Sequence, residues 1–224
     1  MKGMYLFVMV VCLSMGTFVL ASKAHSYSYN AWVGMTGADT IAVNPFLSGA
    51  LTPDPMSYTD FEMMLEWGFS DKMDFFYNFT GNWGMIRYDF SGKDLAIVGV
   101  QAGADYLSLQ YHLIYDELDM FAIEANVALT FPYGAMLDAM EIGAVIAPVL
   151  KLPFGVSVYL EINPVYTFGD DGGFGLELVP GLCFDIGDAQ LSVGLPLGDI
   201  LSENGISVSY GAWLWIPFNY AKGE

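Results

Sequence analysis

Eight carboxylates carry the chemistry most open to use in this sequence: Asp60, Glu62, Glu66, Asp74, Glu124, Glu141, Glu161 and Glu177. Each lies inside a run whose alternate residues are apolar, and each falls on the polar phase of its run. Side chains of an extended chain point alternately to opposite faces, so these acids share one surface while Leu, Ile, Val and Phe share the other. Carboxylates gathered in a confined space raise one another's proton affinity unless cations or basic groups compensate. Arg87 is the single arginine, and it and Lys151 are the bases placed to join them, so the surplus is expected to attract mobile cations as acidic rings do in cation channels. His112, on the polar phase of Leu107 to Tyr115, is expected to be a polar lining residue.

Catalytic constellations do not assemble. His112 is the one histidine well clear of the N-terminal apolar run, which leaves no zinc set and no metalloprotease helix motif. Gly155-Val156-Ser157-Val158-Tyr159 lacks the second glycine of a nucleophile elbow, and Ser108 with His112 on one strand is not a triad. Gly173-Phe174-Gly175 opens no helix, so it is not a phosphate loop. Asp170-Asp171 reads as a hydrophilic turn. The expectation is a protein that is not an enzyme, with no cofactor and no resident metal.

The elements that must position the acids are strands. Thr59, Phe61, Met63, Leu65, Trp67 and Phe69 face one way and Asp60, Glu62, Met64, Glu66 and Gly68 the other. Met73 to Thr80 repeats the pattern. Beyond Gly81 and Gly84 the apolar phase moves to Ile86, Tyr88 and Phe90, which predicts a β-bulge turning Arg87 and Asp89 inward. Leu107 to Tyr115 and Phe121 to Phe131 form a hairpin across Asp116-Glu117. Met140 to Ile146, Val156 to Ile162, Phe174 to Phe184 and Leu191 to Leu195 continue the rhythm. Tyr27 to Thr36 alternates as well, and Thr40 to Leu51 does so weakly. Asp94 to Gly103 is apolar on both phases and shows no face. Pro148, Pro164, Pro180 and Pro196 interrupt apolar phases and predict bulges or strand ends, because each lacks a ladder N–H.

Composition bounds the class. The chain has 224 residues, 25 acidic against 7 basic, a net charge of −18 and 16% aromatic residues, with a mean hydropathy of +0.44. Such acidity makes nucleic acid and anionic lipid surfaces poor partners. Disorder is excluded by the aromatic and apolar content. The one continuous apolar run is Met4 to Leu20, after Lys2 and before small residues at Ala21, Ser22 and Ala24, which reads as a signal peptide over residues 1–24 ahead of a single domain over 25–224. An uncleaved anchor helix is the other reading of that run. Its removal leaves Cys183 alone, so no intrachain disulfide staples the mature chain.

Alternation alone fits both a soluble sandwich and a membrane barrel, and the sandwich stays open as a secreted acidic binding protein. Leader, strand length and strand number favour an antiparallel up-and-down transmembrane β-barrel, apolar residues toward lipid and acids toward the axis. Ten strands result if two weak segments are loops, twelve if Thr40 to Leu51 is a strand. The last stretch, Gly205 to Tyr220, carries a resemblance: Ser209, Gly211, Leu214, Ile216 and Phe218 stand as polar-x-Gly-x-x-apolar-x-apolar-x-aromatic, which resembles the C-terminal assembly signal of bacterial outer-membrane β-barrels. That resemblance implies outer-membrane lipid and the barrel-assembly machinery as partners. The acidic interior points to a small pore for cations or small polar solutes. A barrel filled by Trp32, Phe76, Tyr159, Trp213 and Trp215, without transport, is the other reading.

Overall fold

The structure is a computed structural model that describes residues 35–51, 59–90, 96–133, 139–169, 172–201 and 205–220. The expected leader lies outside these residues, as does the expected strand from Tyr27 up to residue 34. Thirteen strands are present among the described residues: β1 (Thr40–Ala50), β2 (Thr59–Ser70), β3 (Met73–Asn78), β4 (Trp83–Asp89), β5 (Ala96–Ala102), β6 (Tyr106–Leu118), β7 (Phe121–Pro132), β8 (Glu141–Leu152), β9 (Val156–Thr167), β10 (Gly173–Ile186), β11 (Ala189–Gly194), β12 (Leu197–Gly198) and β13 (Ser207–Asn219). Each pairs antiparallel with its neighbour in sequence except β11 with β12, and β1 pairs β13 from Thr40↔Asn219 to Ala50↔Ser209. The sheet therefore closes on itself. Because β11 and β12 both bridge β10 to β13, they are two pieces of one stave, and the barrel has twelve staves. The weakly alternating Thr40 to Leu51 is thus a strand.

Which face points out settles the architecture. Leu109 is 44% exposed and Leu160 41%, whereas Glu124 and Glu161 are fully buried. A sandwich would do the opposite. The exposed residues are also layered along the barrel axis. Ile86, Val100, Leu109, Val127, Ile146, Leu160, Leu182 and Val193 occupy the middle of the outer surface. Toward the end that holds the start of β1 and the end of β13 stand Trp67, Phe69, Tyr88, Phe90, Tyr115 and Tyr220, with Trp67 Nε1 donating to Tyr220 Oη at 3.2 Å. Toward the opposite end stand Phe61, Phe79, Tyr133, Tyr166 and Phe174. An aliphatic band between two aromatic girdles is the exterior that a bilayer selects, since amphipathic rings sit at the headgroup level. Most staves are long enough to span; β2, β7, β8 and β9 have 12 residues each. β3, β4 and β5 are shorter, at 6, 7 and 7 residues, so the wall is lower there.

Several expectations need correction. Met35 and Thr36 are not in a strand; they are buried inside the barrel. Arg87 and Asp89 do point inward, but no bulge turns them: the β3–β4 register runs unbroken from Met73↔Tyr88 to Asn78↔Trp83, and the hairpin turn between them resets the phase. Register shifts fall instead at Gly68/Ser70 and Tyr115/Leu118. The two-sided apolar stretch is strand β5, which buries Ile97 inside because this part of the interior is packed with side-chain stems. Pro196 ends a strand as expected, separating β11 from β12. Pro148, Pro164 and Pro180 sit within continuous strands. There the β8–β9 register keeps a constant offset but pairs nothing at Ala144/Pro164 or Pro148/Leu160, so two ladder bonds are omitted without a bulge.

Replacing Leu160 by arginine puts a charge in the middle of the outer band. Urea unfolding in lipid vesicles is expected to show a loss of about 2–4 kcal/mol; a change near zero would mean that Leu160 faces water.

Candidate functional site

The closed sheet brings most of the sequence-expected acids to one interior. Glu66, Asp74, Glu124 and Glu161 are buried, at 2% exposure or less, and so are Arg87, His112 and Asp89. Glu62 and Glu177 are half-buried. Asp60 and Glu141 are exposed; both stand at the ends of their staves where the lumen meets the rim, so alternation gave their face correctly but not their depth. Five buried carboxylates against one buried guanidinium leave an interior with a marked acidic surplus.

One side of the lumen is ionic. Arg87 Nε donates to Asp74 Oδ1 at 3.0 Å and Nη2 to Oδ2 at 2.6 Å, a two-point contact that fits the planar guanidinium to the carboxylate. Register makes it possible, since Asp74 and Arg87 are direct cross-strand partners. The guanidinium also lies 4.2 Å from the centre of the Phe76 ring. Beside this pair, Glu66 accepts from Asn44 Nδ2 and from Trp215 Nε1, the latter at 3.1 Å. Its third donor comes from the chain ahead of β1: Thr36 Oγ1 lies 3.0 Å from Glu66 Oε2 and 3.2 Å from Asp74 Oδ2, and the Thr36 backbone N–H donates to Asp74 Oδ2 at 3.0 Å. The segment reaches this depth by turning through Gly37 and Asp39, both with positive φ. It then crosses β2 so closely that a Cβ on Gly68 would lie 1.7 Å from the Gly37 carbonyl oxygen. A three-residue latch, Met35 to Gly37, therefore occupies the lumen at the end that holds the start of β1 and the end of β13.

An apolar and aromatic cluster adjoins it through Ala42 and Trp215. Ala42, Ala122, Val149, Tyr159, Val179, Cys183, Trp213 and Trp215 form one buried cluster with Phe46 against it. The Tyr159 hydroxyl meets Ser192 Oγ at 2.9 Å and donates to the Val193 carbonyl at 3.1 Å. Of the rings expected to fill a barrel, Phe76, Tyr159, Trp213 and Trp215 are all buried inside, while Trp32 lies outside the described residues. Toward the other rim, polar pairs line the wall: Asn78 donates to Glu62, Asn163 Nδ2 to Glu177 Oε1 at 3.0 Å, and Thr130 Oγ1 to Ser108 Oγ at 3.0 Å. Sequence reasoning missed Thr36, Asn44 and Trp215 as the donors to Glu66. Alternation signals the inward phase of the last two, but nothing in the sequence signals that the chain before β1 enters the lumen. Of the residues that resemble an assembly signal, Gly211 is buried on the inner face of β13, and Leu214, Ile216 and Phe218 stand on its outer phase.

This is the fold of outer-membrane β-barrels. No protein-family model and no curated protein sequence matches the chain. Among solved structures it is similar to the NanC porin, at 10% identity and a TM-score of 0.53, covering 78% of this chain and 98% of that one. It is similar to an outer membrane channel from Pseudomonas putida F1, at 10% identity and 0.52, covering 90% of this chain and 100% of that one. A KdgM porin in complex with disordered oligogalacturonate matches at 7% identity and 0.51, covering 80% of this chain and 99% of that one.

Two substitutions test the ionic side. Arg87→Ala strands a buried carboxylate and is expected to cost about 3–5 kcal/mol in urea unfolding, most of it recovered when Asp74→Leu is combined with Arg87→Met; a small loss in the single variant would show the pair to be well hydrated. Gly68→Val should expel the latch, so that a cysteine introduced at Thr36 reacts with a water-soluble maleimide in the Gly68→Val background and stays protected without it. Equal labelling in both backgrounds would mean the latch is not held there.

Proposed function

We propose that the protein is a narrow outer-membrane channel whose interior favours small cations and cationic solutes. The observation that carries this reading is the sorting of charge: an uncharged aliphatic belt outside, and inside it five buried carboxylates around a single guanidinium. In a low-dielectric enclosure such a surplus draws mobile cations or takes up protons, and the part of it that stays ionised repels anions. The porin and channel neighbours share the architecture and support a conducting role, although one is described in complex with oligogalacturonate, an anionic sugar polymer, for which this interior has the wrong sign. The expected apparatus is unchanged from the sequence: outer-membrane lipid around the belt, assembly machinery for the closing strand, and no enzyme activity.

A second reading has its own support. The latch takes up one end of the lumen and the Trp213, Trp215 and Tyr159 cluster packs inside the wall, which supports a structural barrel without transport. In the channel reading the latch is the closed state and its release opens the path.

Planar-bilayer recordings under a tenfold KCl gradient separate the two. The channel reading expects small conductance with a cation-selective reversal potential, raised in the Gly68→Val variant. A reversal potential at zero or of anion sign overturns the selectivity, and silence from both the unmodified chain and Gly68→Val leaves the structural barrel.

A further inference from the structure

A cavity of about 360 Å³ opens on the inner wall between β7 and β10, in the half of the barrel away from the latch. That size is at the low end for small-molecule pockets. Its body is apolar and built from small side chains: Ala128, Val145 and Val165 line it, and Gly143, the direct partner of Ala128 across β7 and β8, leaves the space open. A Cβ built at Gly143 would meet only Val165 Cγ2, at 4.0 Å.

Two of its amide oxygens lack donors, and a carboxylate stands beside them. Glu177 lines the pocket as a half-buried carboxylate. The Asn163 amide nitrogen donates to Glu177 Oε1 at 3.0 Å and approaches Glu161 Oε2 at 3.4 Å, which fixes the amide orientation and leaves its buried Oδ1 with no partner. Asn126 Oδ1, on the same wall, is also buried without a partner. The adjoining backbone adds a third shortage: β8 and β9 do not pair at Ala144/Pro164 or Val145/Asn163, and Pro164 has no N–H to offer across the seam. Unsatisfied acceptors of this kind are uncommon inside proteins and each costs on the order of 1–3 kcal/mol.

We propose that this side pocket binds a small organic ammonium ion, its apolar body against Ala128, Val145 and Val165 and its N–H groups directed at Glu177 and the neighbouring amide oxygens. The chemistry follows from the lining: a cation answers the carboxylate, several N–H donors answer several acceptors, and the apolar wall favours an organic ammonium over a hydrated metal ion. The assignment rests on the cation-favouring reading of the interior only for the sign of the ligand, because binding at equilibrium needs no transport.

The test is ¹⁹F NMR titration of 4-fluorobenzylammonium into the full chain in lipid nanodiscs, with 4-fluorobenzyl alcohol as the uncharged comparator. Saturable ammonium binding is expected, at least fivefold weaker in Glu177→Gln with the alcohol unchanged, and abolished for both molecules in Gly143→Leu. Ala128→Leu fills the same space from the facing strand and should act likewise, so a folding failure in one variant leaves the other decisive; heat-modifiable gel migration reports folding of each. Absence of saturable binding by the unmodified chain, or binding that survives both filling variants, overturns the site. Equal loss of ammonium and alcohol in Glu177→Gln overturns the ammonium class. Binding without any conductance would sink the channel reading and leave the pocket standing.

Discussion

Closure of the β1–β13 ladder is the constraint on which everything else depends. A sheet in hydrocarbon cannot leave N–H and C=O groups at an edge, since lipid offers them no partner, and an antiparallel sheet avoids an edge only by meeting itself. Here the first and last staves pair from Thr40↔Asn219 to Ala50↔Ser209, with a gap only at Asn44 and Pro45, where the proline has no N–H to give. Once the ring is closed, the two phases of every strand acquire fixed meanings. One is outside, where it selects Leu109, Ile146 and Leu160; the other is inside, where polar groups must find partners among themselves.

The interior meets that demand unevenly. Around Arg87 most groups are met: Asp74 takes two guanidinium bonds and the Thr36 backbone N–H, and Glu66 takes Asn44, Trp215 and the Thr36 hydroxyl, while Asn44 Oδ1 is buried without a partner. The Trp213 and Tyr159 cluster adjoins them: its Trp215 bonds Glu66, and buried Glu161 is the cross-strand partner of its Val179. Between β7 and β10 the wall is neither tightly bonded nor filled, because glycine and alanine replace larger residues and a proline removes a donor. A firmly held half and a loosely satisfied half share one barrel.

Much of this was legible in the sequence. A period of two maintained through β2, β6, β7 and β9 marks both the strands and their faces, and it placed Glu66, Asp74, Glu124 and Glu161 correctly on the inside. The same rule says nothing about height along a stave, and so it could not separate buried Glu124 from rim-exposed Glu141. It also failed where the interior is itself apolar: β5 shows no polar phase because Ile97 packs inside, and only its pairing with β4 and β6 defines it. A chain entering the lumen without strand periodicity, as Met35 to Gly37 does, leaves no rhythm to read. Gly68 is its one trace, a missing side chain on an inward phase. The prolines misled in an instructive way: Pro148 and Pro164 turn their absent donors toward the same seam, so the strands run on through them at the cost of two bonds.

The inside-out arrangement is tested most directly by a nitroxide scan along β9. Single cysteines from Val156 to Thr167, on a Cys183→Ala background in a lipid bilayer, report collision rates with oxygen, which concentrates in hydrocarbon, and with a water-soluble nickel chelate. The account predicts a period of two, with oxygen maxima at Val158, Leu160 and Ile162 and minima at Ser157, Tyr159 and Glu161. Oxygen rates without alternation, or nickel access greatest at Leu160, would contradict it.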